Sequence, residues 1–230
     1  MRGTSRGSEF WNGVKAEAPL MLGVAPFGMI FGALAVSVGL PAVIGQAMSS
    51  VIFAGSAQFI AAQLFGAGAS GIVILAVVFV VNLRHALYSA SIAPHVRPLK
   101  PGWKLALSYL LTDEAYAVTI ARYLRDDVSP HRHWFFFGAG LTLWTFWQVS
   151  TAVGIFIGAQ IPPQWPLGFA LPLTFIALVV PVLKDRAGVA AALAAGVVGL
   201  ATMGFPLKSG LLVAAFAGII VGMIFEGKKT

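Results

Sequence analysis

The chain has no cysteine, and only 8 of its 230 residues are acidic. Without cysteine there are no disulfides, thiol nucleophiles or thiolate metal sites. Charge of either sign is scarce, at 10% of residues, where a soluble domain carries about 25%. Several catalytic motifs are missing too. There is no Gly-x-x-x-x-Gly-Lys-Ser/Thr phosphate loop, so the chain does not itself use ATP, and neither His-Glu-x-x-His nor Gly-x-Ser-x-Gly occurs. The four histidines, His85, His95, His131 and His133, are divided between an apolar segment and loops. The chain therefore reads as a non-enzyme with no cofactor and no metal site.

What is present is hydrocarbon. Apolar residues make up 58% of the chain, and its mean hydropathy is +0.87, the composition of an integral membrane protein. The first apolar segment, about 18–40, is too long for a secretory signal, whose apolar core has roughly 7–15 residues, so it is read as a retained span. A crossing helix needs about 20 apolar residues, and further segments of that kind lie near 71–93, 134–160, 166–183, 187–205 and 207–226. The expectation is an all-α polytopic bundle of six to eight membrane segments, forming one transporter domain over 1–230 with 1–17 as a cytoplasmic N-terminal segment.

Two segments are irregular. Residues 41–66 hold Pro41, Gly45, Ser49, Ser50, Gly55, Ser56, Gln58 and Gln63, and residues 103–122 hold Lys104, Asp113 and Glu114. The net charge of +7 comes from basic residues in short connectors, which argues for cytoplasmic loops and against nucleic acid. The clusters are Arg2, Arg6 and Lys15; Arg97, Lys100 and Lys104; Arg122, Arg125 and Arg132; Lys184 and Arg186; and Lys228 and Lys229. All of them share one side only if 41–66 and 103–122 each enter and leave from that same side, as broken or re-entrant helices. Otherwise two clusters violate the bias.

Small residues recur four apart in Gly28-xxx-Gly32, Gly154-xxx-Gly158, Gly188-xxx-Ala192-xxx-Gly196 and Gly210-xxx-Ala214-xxx-Gly218-xxx-Gly222. Such faces let helices approach closely, within the chain or toward a partner, a second copy included. A faint internal repeat relates 28–66 to 154–183, with Gly39-Leu-Pro and Gln160-Ile-Pro-Pro as connectors. Repeats with interrupted helices are typical of secondary transporters.

Residues 71–81 are uninterrupted hydrocarbon, yet they run straight into Asn82, Arg84 and His85. Eleven residues give about 16 Å of helix, too little to cross about 30 Å of hydrocarbon. The helix must continue to about Ala93, before Pro94, which puts these polar side chains inside the bilayer. On it Asn82, His85 and Ser89 share one face, and Arg84, Tyr88 and Ser91 another. An intramembrane charge is turned inward and paired or lines a wet cavity, and the acids at hand are Asp113 and Glu114. His85 either hydrogen-bonds beside the arginine or carries a proton. Gly55, with Ser56 and Gln58, can open a helix and expose backbone groups to a solute. Alternatively, the serines bond back to their own helix.

Five stretches occur together and in order: Pro26-Phe-Gly28; Phe53-Ala-Gly-Ser-Ala-Gln-Phe59; Asn82-Leu-Arg-His85 with Leu87-Tyr-Ser89; Leu111-Thr-Asp-Glu114; and Leu171-Pro-Leu-Thr-Phe175. Along roughly residues 9–226 the sequence resembles the AzlC-like family of branched-chain amino acid permeases. The resemblance implies a multi-pass subunit of a bacterial cytoplasmic (inner) membrane that exports leucine, isoleucine, valine or similar amino acids with a small AzlD-type membrane protein. A proton or substrate gradient would supply the energy. The substrate-binding set expected from the polar stretches is Gly55, Ser56, Gln58, Asn82, Arg84, His85, Asp113 and Glu114. A channel, or a non-transporting assembly subunit, is the alternative that buried polar groups also permit.

Overall fold

Among the described residues, three helical runs are long and apolar enough to cross a membrane: Arg6–Ser37, Gly71–Val96 and Arg132–Gly158. The computed structural model describes residues 5–124, 129–160, 183, 185–205 and 210–226, and among them there is no strand. The segment 166–183, the Leu171–Phe175 motif and the second half of the expected 28–66/154–183 repeat lie outside the described residues, apart from 154–160 and Leu183. So do the basic residues Arg2, Arg125, Lys184, Lys228 and Lys229. The chain divides into two compact units, Met1–Leu167 and Gly168–Thr230.

In the first unit, Ser5 caps helix α1 (Arg6–Glu17), and a turn of 3-10 helix at Ala18–Leu20 leads into α2 (Met21–Ser37). The segment expected to lie outside the first span is thus the first third of one continuous helical run. It packs lengthwise on α9 (Arg132–Gly158). Gly13 meets Phe135 and Ala139, Gly138 meets Phe10, Gly32 meets Thr151 and Gly154 meets Met29, so closely that an added Cβ would strike backbone. Residue numbers rise together along this seam, so the two runs are parallel. Gly28-xxx-Gly32 and Gly154-xxx-Gly158 therefore face each other within the chain, in the close approach that small residues permit.

Both irregular segments are broken. Helices α3 (Ala42–Val51) and α4 (Gly55–Gly66) flank Ile52–Ala54, while α7 (Pro101–Tyr109) and α8 (Asp113–Tyr123) flank Leu110–Thr112. Each half has 9 to 12 residues, about 14–18 Å at 1.5 Å per residue, or half of a ~30 Å hydrocarbon core.

Their contacts show that both are hairpins. At the start of α3, Gly45 lies against Ala35 and Ile155, and at the end of α4, Gly66 lies against Val38. Both ends thus sit at the far end of α2, while the tip residue Phe53 reaches Tyr109. The second hairpin is inverted. Trp103 packs edge-on against His133, Trp134 and Phe137, Arg122 pairs with Glu9, and Tyr123 bonds to Arg132 O, all at the starting ends of α1 and α9. Its tip, at Leu110, reaches Gly140.

Between the hairpins runs the third crossing, α5 (Gly71–Asn82) and α6 (Arg84–Val96), interrupted at Leu83. It ends beside the second hairpin, where His95 contacts Tyr123. Arg6, Arg97, Lys100, Lys104, Arg122 and Arg132 therefore gather at one end, as the charge bias requires when both hairpins re-enter. The expected stop before Pro94 does not occur. Helix α6 runs through Pro94 to Val96, because so near a helix end the missing N–H sacrifices only one bond. Apolar Ile72, Leu75, Phe79 and Leu87 stay exposed along this crossing, as suits a lipid-facing helix. A crossing followed by a hairpin occurs twice with opposite direction, 6–66 and 71–123. This inverted repeat differs from the one the connectors suggested.

Turns follow glycine where the backbone demands it. Gly39 (φ 85°) and Gly68 (φ 72°) end α2 and α4, with Leu40 N bonding to Ala35 O and Ala69 N to Leu64 O, the six-to-one bond of a Schellman cap. In the second unit, α10 (Arg186–Ala201), capped by Asp185, and α11 (Gly210–Glu226) form an antiparallel pair. Gly218 and Gly222 of α11 do use the predicted face. On α10, however, they meet Ala191 and Ala195, not the Gly188/Ala192/Gly196 face.

Candidate functional site

The hairpin tips and the Leu83 interruption all fall at mid-depth of the first unit, so three helices, α4, α6 and α8, begin there. Their N-termini carry the polar motifs. Arg84, the first residue of α6, pairs with Asp113 of α8 at 2.8 Å and donates a second bond to Ser56 Oγ of α4 at 2.7 Å. Tyr88, one turn further along α6, donates to the other Asp113 oxygen at 2.7 Å. The Tyr88 ring stacks on Tyr116 at 4.4 Å, and Tyr116 donates to Ser91 at 3.0 Å. The face Arg84, Tyr88, Ser91 thus meets α8, as its spacing predicts, and the ion pair forms with Asp113.

The local sequence explains this geometry. At the tip of the first hairpin Phe53 adopts φ 41°, a strained conformation for a bulky residue, held by burial and by the Tyr109 ring at 5.9 Å. Ala54, the N-cap of α4, offers no side-chain bond, and the first bond of that helix runs from Gln58 N to Ala54 O. The N–H groups of Gly55, Ser56 and Ala57 therefore precede the hydrogen-bond ladder and, with the helix dipole, suit an anion. In the second hairpin Thr112 caps α8 by accepting from Ala115 N at 3.4 Å, and Asp113 and Glu114 occupy the first turn, where the dipole favours carboxylates.

Arg84 and Asp113 remain 31% and 37% exposed, yet Arg84 Nε and Asn82 Oδ1 are buried and find no partner among the described residues. A donor and an acceptor are thus left open beside an ion pair. His85 contacts Asn82 O through Nδ1 at 3.1 Å and packs edge-on against Tyr88.

Gln58 lies elsewhere. It is fully buried, donates to Ser49 at 3.0 Å and accepts from Trp147 Nε1 at 3.1 Å, while Ser49 shares a 2.8 Å bond with Thr151. Beside it, Gln148 donates to Ser49 O and accepts from Gln46 and Ser50. Tyr109 donates to Ser50 O and accepts from Trp144, tying the two hairpin tips to α9. Sequence reasoning missed this seam, although Gln148, an amide inside an apolar span, marked it. Also missed were the Glu9–Arg122 pair at 3.0 Å and Glu17, which is fully buried. Glu9, Gly13 and Glu17, four apart and so on one face, were the available signal.

Comparison with known proteins agrees in kind. The family model described as "AzlC protein" matches residues 19–161. The chain is 27% identical over 223 residues to "Inner membrane protein YgaZ" of Escherichia coli (strain K12), covering 94% of this chain and 88% of that protein. It is 30% identical over 226 residues to an "Uncharacterized membrane protein" of Archaeoglobus fulgidus, covering 95% and 96%. Over 143 residues it is 27% identical to "Branched-chain amino acid transport protein AzlC" of Bacillus subtilis, covering 62% and 55%. No solved structure matches.

Proposed function

The chain belongs to the AzlC family of membrane proteins, and from this and the geometry we infer that it is a non-enzymatic permease subunit for branched-chain amino acids. In this reading it exports leucine, isoleucine, valine or similar solutes across a bacterial inner membrane, driven by a gradient and working with a small AzlD-type partner. The observation that carries the reading is the Arg84–Asp113 pair, set where three helices begin at mid-depth between two opposed hairpins. Secondary transporters place their substrate sites at such points in inverted repeats.

An amino acid brings a carboxylate, an ammonium and a side chain. The carboxylate suits the open N–H groups at Gly55 and Ser56 together with Arg84, whose Nε has no partner among the described residues. The ammonium suits Asn82 Oδ1, Asp113 and Glu114, with His85 positioning the Asn82 turn. The aromatic wall of Phe27, stacked on Phe59 at 4.5 Å and edge-on to Trp147, offers an apolar surface to a branched side chain. Gln58 supports this wall through Trp147.

The test is flux in proteoliposomes, with and without the AzlD-type subunit, using labelled amino acids. A carrier gives saturable flux and exchanges internal for external label, with branched-chain amino acids preferred. Linear flux without exchange marks a channel, and no flux with either preparation marks an assembly subunit.

A further inference from the structure

The permease reading leaves one buried acid without a task. Glu17 closes α1, is 0% exposed, and neither of its carboxyl oxygens finds a hydrogen-bond partner among the described residues. Eleven residues beyond Arg6, it lies about 17 Å along the run, at the level where α8 begins. Glu114, in the first turn of α8, is the charge that acts on it through space. Eight residues, about 12 Å, would separate these levels from the end where Glu9 meets Arg122 if α1 and α8 ran straight and antiparallel. The register agrees, since position 9 opposes 122 and 17 opposes 114.

The charged surroundings of Glu17 are few. On its own run there are Arg6 at the start of α1, Glu9, paired with Arg122, and exposed Lys15. From α8 come Glu114 and Asp113, the latter paired with Arg84 and bonded by Tyr88. Helix α9 brings only Arg132 and His133, both in its first turn. Among the described residues no cation is paired with Glu17. A fully buried carboxyl group facing a second one does not ionise without a cation beside it.

We propose that Glu17 and Glu114 form a carboxyl pair that binds one transported proton and couples its movement to the amino acid site at Arg84–Asp113. A proton fits better than a metal cation, because no cluster of three or more metal-ligating side chains occurs among the described residues. Toward the basic end, Thr119 Oγ1 and Glu9 Oε2 are buried and likewise find no partner among the described residues, so a proton leaving in that direction meets polar oxygens. Glu114 is the neighbour of Asp113 in sequence, and so joins the pair to the substrate level. The step is the binding and release of H⁺ at a carboxylate, with no other bond made or broken.

This inference rests on the permease reading, and the test separates the two. In proteoliposomes holding the full chain with its partner, an imposed pH gradient should drive labelled leucine uphill. Glu17→Gln should lose that accumulation while keeping exchange of internal for external leucine. Uphill transport retained in Glu17→Gln, or driven in the wild type by sodium in place of protons, overturns the proposal. Loss of exchange as well makes Glu17 structural and also overturns it. If the wild type exchanges no amino acid, the permease reading fails instead, and infrared pH-difference spectroscopy then decides on Glu17 alone. A protonated-carboxyl band present in wild type and missing in Glu17→Gln supports the proton site, and its absence in wild type removes it.

Discussion

Two ion pairs in the same unit, Glu9–Arg122 and Arg84–Asp113, have nearly equal lengths, 3.0 and 2.8 Å, and opposite surroundings. The side chains of the first are 10% and 0% exposed, those of the second 31% and 37%. Glu9 and Arg122 clamp α1 to the end of the second hairpin, where no helix is interrupted on the α1 side. Arg84 and Asp113 stand at the starts of α6 and α8, beside unpartnered polar atoms. A paired charge sealed from solvent on both sides holds helices. Charges left reachable at a helix break can exchange partners with a solute.

The comparison predicts opposite phenotypes. Arg122→Ala should strand a buried carboxylate and cost about 3–5 kcal/mol, visible as lost membrane yield and a lowered unfolding temperature in detergent. The double change Glu9→Gln with Arg122→Met should recover most of that yield. Next in size, Gln58→Ala removes an amide held by Ser49 and Trp147 and should cost about 1–3 kcal/mol through the groups left unsatisfied. Arg84→Ala should cost stability only about 0–1 kcal/mol, as for exposed pairs, yet abolish leucine exchange. Equal yields for Arg122→Ala and Arg84→Ala would dissolve the distinction between a clamp and a site.

The sequence made local features legible and long-range ones only in part. An opening at Gly55 could be read because small residues interrupt an apolar run, and 103–122 was marked as broken or re-entrant by the charges it holds. An Arg84–acid pair could be read because so few acids were available to it. The Glu9–Arg122 pair joins residues 113 apart, and no local pattern ties an acid near one terminus to a basic connector. Gln58 was read with Ser56 because they are neighbours in sequence, but two residues on a helix point about 200° apart. One face meets Arg84, the other the Ser49–Trp147 seam. The mutual packing of Gly28/Gly32 and Gly154/Gly158 was visible as two sticky faces, and only the fold says that they meet.

The finest prediction concerns the atoms around Asp113 and Asn82. Tyr88→Phe deletes one hydroxyl, whose 2.7 Å bond fixes the Asp113 carboxylate while Arg84 holds the other oxygen. The ring would stay stacked on Tyr116, so the fold should barely change. Losing one such bond is worth about 1 kcal/mol, about a fivefold rise in the half-saturation of leucine exchange, with the maximal rate nearly kept. Asn82→Ala removes an acceptor that has no partner among the described residues, so it should leave the unfolding temperature unchanged and weaken leucine binding by a similar factor. If Asn82→Ala lowers the unfolding temperature and leaves half-saturation untouched, Asn82 belongs with the clamp, and the open acceptor beside Arg84 is no part of a substrate site.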